Sequence, residues 1–554
     1  MLFRTYLLAA SAIACTPGAL LAQPIAHVTE VEYRAAPQAP VPDGQFRNPV
    51  LPGFQPDPSI VKVGADFYLV TSTFAWFPGI PVYHSRDLVN WRLIGNAIDR
   101  PGQLSFKGRR TNEAVFAPTI SYEQGKFRIL NTCVECGGNF MIVADRPEGP
   151  WSDPIWLDFE GIDPSLFVDE DGTAWVLNNG APVGEPRYEG HRAIWIQRIG
   201  LATGKMFGPR KVLVDGGAHP DDNPIWAEGP HIFKHDGWYY LNAAEGGTAE
   251  DHSQTIYRSR SPDGPYEPGP INPILTQRDL PADRPQRVEA TGHADLVKLD
   301  NGDWWAVFLA TVPFAGQSTL LGRETFLLPV SWPAGWPIIL PKGESVPLVV
   351  QKPNLPSDTP VDWTHWRDTF TGNQLDPEWL QLRDTVSPVW YRLDNGLKIT
   401  ARPDAPGSLE GQPSFVGRRL RHPAASVTAR IAFEPEQQGD FGGLMAFMNE
   451  DHFTGIGVTR IEGRRVIALR ERRGAAQPVD GVTVTSAPLD VDGAIELRIA
   501  IDGGKADFDW RPAGSEQWRS LVAGHDVEHM ASVYGGLFTG TVIGPFAQEG
   551  PRAR

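Results

Sequence analysis

The chain has 554 residues, too many for one core, so two or more domains are expected. Its 41% hydrophobic and 21% charged composition is that of a soluble globular protein, and a formal charge of −16 argues against nucleic acid, whose phosphates it would repel. That charge suits a neutral or cationic ligand, while the 18 Trp and 26 Phe suit sugar-binding surfaces and β-sheet cores alike.

The chain begins MLFRTYLLAASAIACTPGALLAQ, with Arg4 ahead of a short apolar run and small residues after it. Residues 1–22 are expected to be a signal peptide cut near Ala22, too short to span a bilayer. Cys15, after Ala12-Ile13-Ala14, offers the alternative of a lipidated cysteine. Either way the protein is exported, to the periplasm or the extracellular space. No other segment is long and apolar enough to cross a membrane. Residues 23–46 are rich in Pro and Ala and read as a loose leader.

Residues 47–341 repeat one pattern five times: DPSIVKVGADFYLV from Asp57, APTISYEQGKFRIL from Ala117, DPSLFVDEDGTAWVL from Asp163, EGPHIFKHDGWYYL from Glu228 and HADLVKLDNGDWWAV from His293. Each has a lead residue, then Pro, Gly or Ala, a short apolar strand, a polar turn and an aromatic-rich second strand. GIPVYHSRDLVNWRLI and AIWIQRIGL supply further, outer strands. Strand–turn–strand repeats at this period predict a β-propeller, here five-bladed, whose innermost strands meet around one axis. Cys133 and Cys136, in NTCVECGGNF, have no second pair with which to complete a zinc site, and export favours a local disulfide or two free thiols.

Residues 342–362 form a Pro-rich linker expected to lie against a surface. Residues 363–554 change pattern. Short strands such as SVTARIAF, GGLMAFM, RRVIALRE and IELRIAIDG, about ten residues apart with Gly/Asp turns, predict a β-sandwich. The fold class is therefore all-β, a propeller followed by a sandwich.

Three of the five lead residues are acids: Asp57, Asp163 and Glu228. Asp-Pro at the start of a strand is also an ordinary turn signal, but Ala117 at the equivalent place shows that the position has no intrinsic need for a carboxylate. Three acids around one axis suit glycosidic-bond hydrolysis. One carboxyl protonates the leaving oxygen, another activates water or attacks, and a third raises the donor's pKa by like-charge repulsion. Asp57, held between Pro56 and Pro58, suits a fixed base, and the longer Glu228 beside Gly229 suits a proton donor.

The segments GFQPDPSIVKVGADFYLVTSTFAWFPGIPVYHSRDLVNW, YEGHRAIW, AEGPHIFKHDGWYYLNAAEGGT, NPILTQR, TGHADLV and GRETFLLPVSW, with SFVGRRL and DPEWLQLR further on, closely resemble family 43 glycoside hydrolases. The likeness is to the β-xylosidase and α-L-arabinofuranosidase branch with a C-terminal concanavalin-like β-sandwich. It implies inversion, with Asp57 as general base, Asp163 as the acid that tunes and orients the donor, and Glu228 as general acid. It further implies aromatic walls at Phe74 and Phe116 and sugar binding by Arg323, for which an ion pair with Glu324 or another acid is the alternative reading. His293 matches a histidine near the axis, beside calcium or water in parts of the family. A metal there would be bound through water, so a structural Ca2+ is the one ion implied and no cofactor is required for the chemistry. Phe538, in YGGLFTGTVIG, is the expected intruder from the sandwich into the pocket.

Two departures from the family stand out. RRTNEAVFAP replaces a Gly-rich approach to the pocket rim, and the C-terminus PFAQEGPRAR leaves the last sandwich strand missing or replaced. The expected activity is exo-release of xylose from β-1,4-xylo-oligosaccharides. The alternatives are an α-L-arabinofuranosidase or bifunctional enzyme on arabinoxylan fragments, and a non-catalytic sugar-binding propeller. A fructan hydrolase is disfavoured because its own motifs are not found. Assembly as a homo-oligomer is left open.

Overall fold

A computed structural model describes residues 23–316, 318–383 and 390–551. The expected signal peptide and Cys15 lie outside them. The five repeats form five antiparallel sheets. The first orders Ser59–Val63, Asp66–Val70, Gly79–Ser85 and Arg92–Ile98, and the next three blades repeat this plan from Thr119–Glu123, Ile162–Val168 and Glu228–His235. The fifth holds Glu289–Lys298, Trp304–Thr311 and Glu324–Val330. Its outer edge is closed by the start of the propeller. Leu51 bridges Thr325, and the Asn48 amide both donates to the Leu327 carbonyl (2.9 Å) and accepts its N–H (2.9 Å).

The residue two beyond each lead ties the blades into a ring. Ser59 donates to Asp295 (2.9 Å), Ile120 N–H donates to Ser59 (3.2 Å), Thr119 to the Pro164 carbonyl (2.7 Å), and Ser165 to the Pro230 carbonyl (2.5 Å). His231 and Asp295 complete the circle at 3.6 Å. These buried polar groups satisfy one another around the axis.

The segment read as a loose leader is instead the strand Ile25–Ala35, in the middle of the first sandwich sheet. It pairs with Ala424–Ala432, with Leu397–Thr400 and with His365–Asp368. Ala26, Val28, Val31 and Tyr33 face the sandwich core. A bulge between Val28 and Glu30 breaks the two-residue alternation, and this, with the Pro/Ala-rich stretch that follows, hid the strand. The described residues thus begin in the sandwich, build the propeller and return through the linker. There Val349–Gln351 pairs with Gln45–Arg47, and Asp358 accepts the Arg86 N–H (2.9 Å). The final sandwich strand is present. Val542–Gln548 sits between Phe441–Asn449 and Ser414–Arg419, and the earlier ADFDW lies in a separate strand, Lys505–Pro512.

The second sandwich sheet does not stop at the domain boundary. It runs through Leu380–Leu382 into Trp76–Phe77 of the propeller, and its outer face packs Phe415, Phe441 and Phe447 against Trp76 and Phe74. The unusual segment RRTNEAVFAP is part of this junction. Glu450 of the sandwich accepts from Thr111 N–H (2.9 Å) and Oγ1 (2.7 Å) and from buried Arg383 (2.5 Å), whose Nε donates to the Arg109 carbonyl (2.7 Å). Removing one partner of a buried pair strands the other's charge. Glu450→Ala is therefore expected to cost ~3–5 kcal/mol of stability, read as a lowered thermal midpoint, with Glu450→Gln retaining part of it.

Candidate active site

At the mouth of the propeller axis lies a cavity of about 240 Å³, and all eight residues singled out in the sequence line it: Asp57, Phe74, Phe116, Asp163, Glu228, His293, Arg323 and Phe538. Sequence reasoning missed Trp226 and Thr248, which also line it.

The backbone explains why these side chains converge. Asp57, Asp163 and His293 hold left-handed backbones (φ 54°, 54° and 52°) two residues before the regular ladders of the innermost strands begin, and Phe74 also has a left-handed backbone (φ 51°). Such conformations are uncommon for residues with a Cβ and persist where the surroundings over-determine them. The ladders correct one equivalence. Their first regular pairs begin at Ser59, Thr119, Ser165, His231 and Asp295, so the fourth lead is Gly229 and Glu228 stands one residue earlier. Glycine is required there, because a Cβ on Gly229 would lie 2.8 Å from the His293 ring. The acid in this blade therefore reaches the cavity from a bulge, not from the axial position.

Asp57 is buried and fully engaged. Its Oδ1 accepts from Arg323 Nη1 (2.9 Å), and its Oδ2 accepts from Ser72 Oγ (2.5 Å) and Arg323 Nη2 (3.4 Å). Arg323 is thus paired directly with Asp57 in the cavity lining, and its Nη1 also donates to Thr248 Oγ1 (2.9 Å). Glu324, the next residue on the strand, is turned to the opposite side, where its Oε1 accepts the Gly53 N–H (2.8 Å). Asp163 Oδ2 accepts the Gly229 N–H (3.2 Å) and lies 3.5 Å from His293 Nε2.

The electrostatics separate the acids. Burial, then the Asp163 and Asp57 carboxylates, push Glu228 up to about 8, against the opposing pull of His293 and Arg323. Burial opposes a charged His293, but the bond to Asp163 and the charges of Asp57, Asp163 and Glu228 outweigh it and raise that ring to about 9. A group held protonated at neutral pH, facing a carboxylate locked in an arginine fork, is the asymmetry that acid–base chemistry needs. Calcium takes roughly six to eight oxygen ligands, whereas His293 offers nitrogen. Among the described residues no three His, Cys, Asp or Glu side chains are grouped to hold a metal, so the donor set does not fit a directly ligated ion.

One wall is aromatic and belongs to both domains. Phe74 meets Phe116 (5.3 Å between centroids) and Phe538 (5.7 Å), and Arg323 lies 5.1 Å from the Phe538 ring. The sandwich delivers Phe538 through a close backbone approach: a Cβ on Gly540 would meet the Leu321 carbonyl at 2.2 Å. Cys133 and Cys136 form a disulfide in the second blade. Cys136 borders the core beneath that blade, and neither cysteine lines the cavity.

Known proteins show the same architecture. The family model described as glycosyl hydrolases family 43 matches residues 46–337, and that of the beta xylosidase C-terminal concanavalin A-like domain matches residues 367–553. A non-reducing end alpha-L-arabinofuranosidase of Bacteroides ovatus is 36% identical over 524 residues, 92% of each chain. A family 43 structure retrieved from capybara gut metagenome superposes with a TM-score of 0.87 at 31% identity, covering 95% of this chain and 100% of that one. The xylan beta-1,4-xylosidase of Bacillus halodurans superposes with a TM-score of 0.82 at 33% identity, over 91% and 97%. A five-bladed propeller, a concanavalin-like sandwich and near-full-length likeness at these levels place the chain in glycoside hydrolase family 43.

Proposed function

We propose that this glycosidase is exported and exo-acting, and that it releases xylose with inversion from the non-reducing ends of β-1,4-xylo-oligosaccharides. The observation that carries this reading is the 240 Å³ cavity with Asp57 and a protonated Glu228 in its walls. Its volume falls below the ~300–1,000 Å³ of drug-sized sites, which suits a single terminal sugar. Phe538 narrows it from the sandwich side. The apolar N-terminal run and the Cys133–Cys136 disulfide support export.

In this reading Asp57 takes a proton from the water that attacks the anomeric carbon, while Glu228 gives its carboxyl proton to the departing oxygen. Asp163 and His293 hold the donor's charge state, and the aromatic wall of Phe74, Phe116 and Phe538 receives the sugar's C–H face. Anomeric NMR during xylobiose turnover tests sugar and stereochemistry together. A first product of α configuration supports the proposal; a β product, or no turnover, overturns it.

A second reading, α-L-arabinofuranosidase action, is favoured by the activity named for the Bacteroides ovatus relative. Paired nitrophenyl xyloside and arabinofuranoside substrates separate the two.

The donor's pKa gives a pH prediction. A general acid works only while protonated, so kcat/KM should fall as pH rises through about 8 in the wild type. Asp163→Asn deletes the largest charge that raises Glu228. The basic limb of the profile should then move to lower pH. An unmoved limb would remove Asp163 from this role.

A further inference from the structure

We propose that Trp226 is the platform for the leaving-group sugar, and so the residue that makes this enzyme prefer a flat, C–H-faced ring on the departing side of the bond. The inference rests on the proposed role of Glu228. A proton donor must stand beside the departing oxygen, so whatever that oxygen carries lies on Glu228's side of the cavity. Trp226 is two residues upstream of Glu228 on the same segment, is half-buried and lines the cavity.

Its conformation is imposed from outside. Trp226 has a left-handed backbone (φ 53°), which for a bulky residue needs support from its surroundings. That support is visible on both sides. Trp226 N–H donates to the Gly190 carbonyl (2.9 Å), and the preceding Ile225 carbonyl accepts from Gly246 N–H (2.8 Å). The following Ala227 carbonyl accepts from the Asn179 amide (2.8 Å). The guanidinium of Arg192, which does not line the cavity, lies over the indole at 4.2 Å from the ring centroid. One face of the ring is thus occupied by a cation, and the segment is clamped by three hydrogen bonds, one that it donates and two that it accepts. A partly exposed tryptophan held this firmly at a cavity mouth presents a fixed apolar surface, and pyranose rings with equatorial hydroxyls offer the matching C–H face.

The test compares two substrates that share the cleaved sugar and differ only in what leaves. Xylobiose places a second ring on the departing side; β-xylosyl fluoride places a single fluorine there. For Trp226→Ala the ratio of kcat/KM on xylobiose to that on the fluoride should fall about tenfold, the scale of one good aromatic stack with its buried area. Trp226→Tyr should restore most of the ratio and keeps the test open if the alanine variant folds poorly. An unchanged ratio in both variants, whether both rates fall together or neither does, overturns the assignment. Wild-type turnover of xylobiose is measured first and judges the substrate reading separately. If the wild type instead cleaves arabinofuranosides, the same variants are compared on an arabinofuranosyl disaccharide and fluoride, and the same ratio decides.

Discussion

Glu228→Gln should lower kcat/KM on xylobiose by about 10²–10⁴, the usual worth of positioned acid–base catalysis. The substitution is informative because of the group it replaces. Glu228 is pushed up to about 8, so at neutral pH it is already an uncharged carboxylic acid. Glutamine keeps that shape and neutrality and removes only the transferable proton. Repulsion from Asp163 and Asp57 is not newly relieved, so the loss measures proton donation itself. It should therefore depend on the leaving group. An alkoxide sugar needs the proton, whereas an activated dinitrophenolate departs without it, and its rate should fall much less. The descending limb near pH 8 should also vanish on the activated substrate. Equal losses across a leaving-group series would reassign Glu228 to binding.

Much of this arrangement was legible because it depends on local rules. Two-residue alternation, polar turns and a recurring lead position are written in the chain, so the blades and the convergence of Asp57 and Asp163 could be read directly. Register could not. Glu228 looks like the fourth lead because EGP resembles DPS, yet the axial residue is Gly229, where a Cβ would meet the His293 ring, which no sequence window contains. The strand Ile25–Ala35 failed for a related reason: it belongs to a sheet whose partners lie hundreds of residues away, and its bulge spoils the pattern that would have announced it. Trp226 carries no motif of its own. Only the Gly190, Gly246 and Asn179 contacts, all distant in the chain, turn it toward a function. The pairing of Arg323 with Asp57 was likewise open in sequence, where Glu324 beside it was the nearer partner, and the alternation of the strand decides against that neighbour.

Asp57→Ala should be the second severe loss, about 10²–10⁴ in kcat/KM on every substrate whatever its leaving group, because no other group then takes the proton from water. The variant also strips Arg323 of its carboxylate partner, so a smaller thermal midpoint is expected and must be separated from the chemistry. Azide achieves that separation. It is an anion small enough for the space the carboxylate vacates, and it needs no base to attack. With an activated β-xyloside it should restore turnover and yield the glycosyl azide of inverted configuration, since it enters from the face that water would use. A variant disabled merely by misfolding gains nothing from azide. A glycosyl azide of retained configuration would mean two displacements and not one, with azide opening a glycosyl-enzyme formed on another carboxylate and Asp57 serving as the acid/base. The single base-assisted displacement assigned to this cavity would then be wrong, and with it the acid role of Glu228.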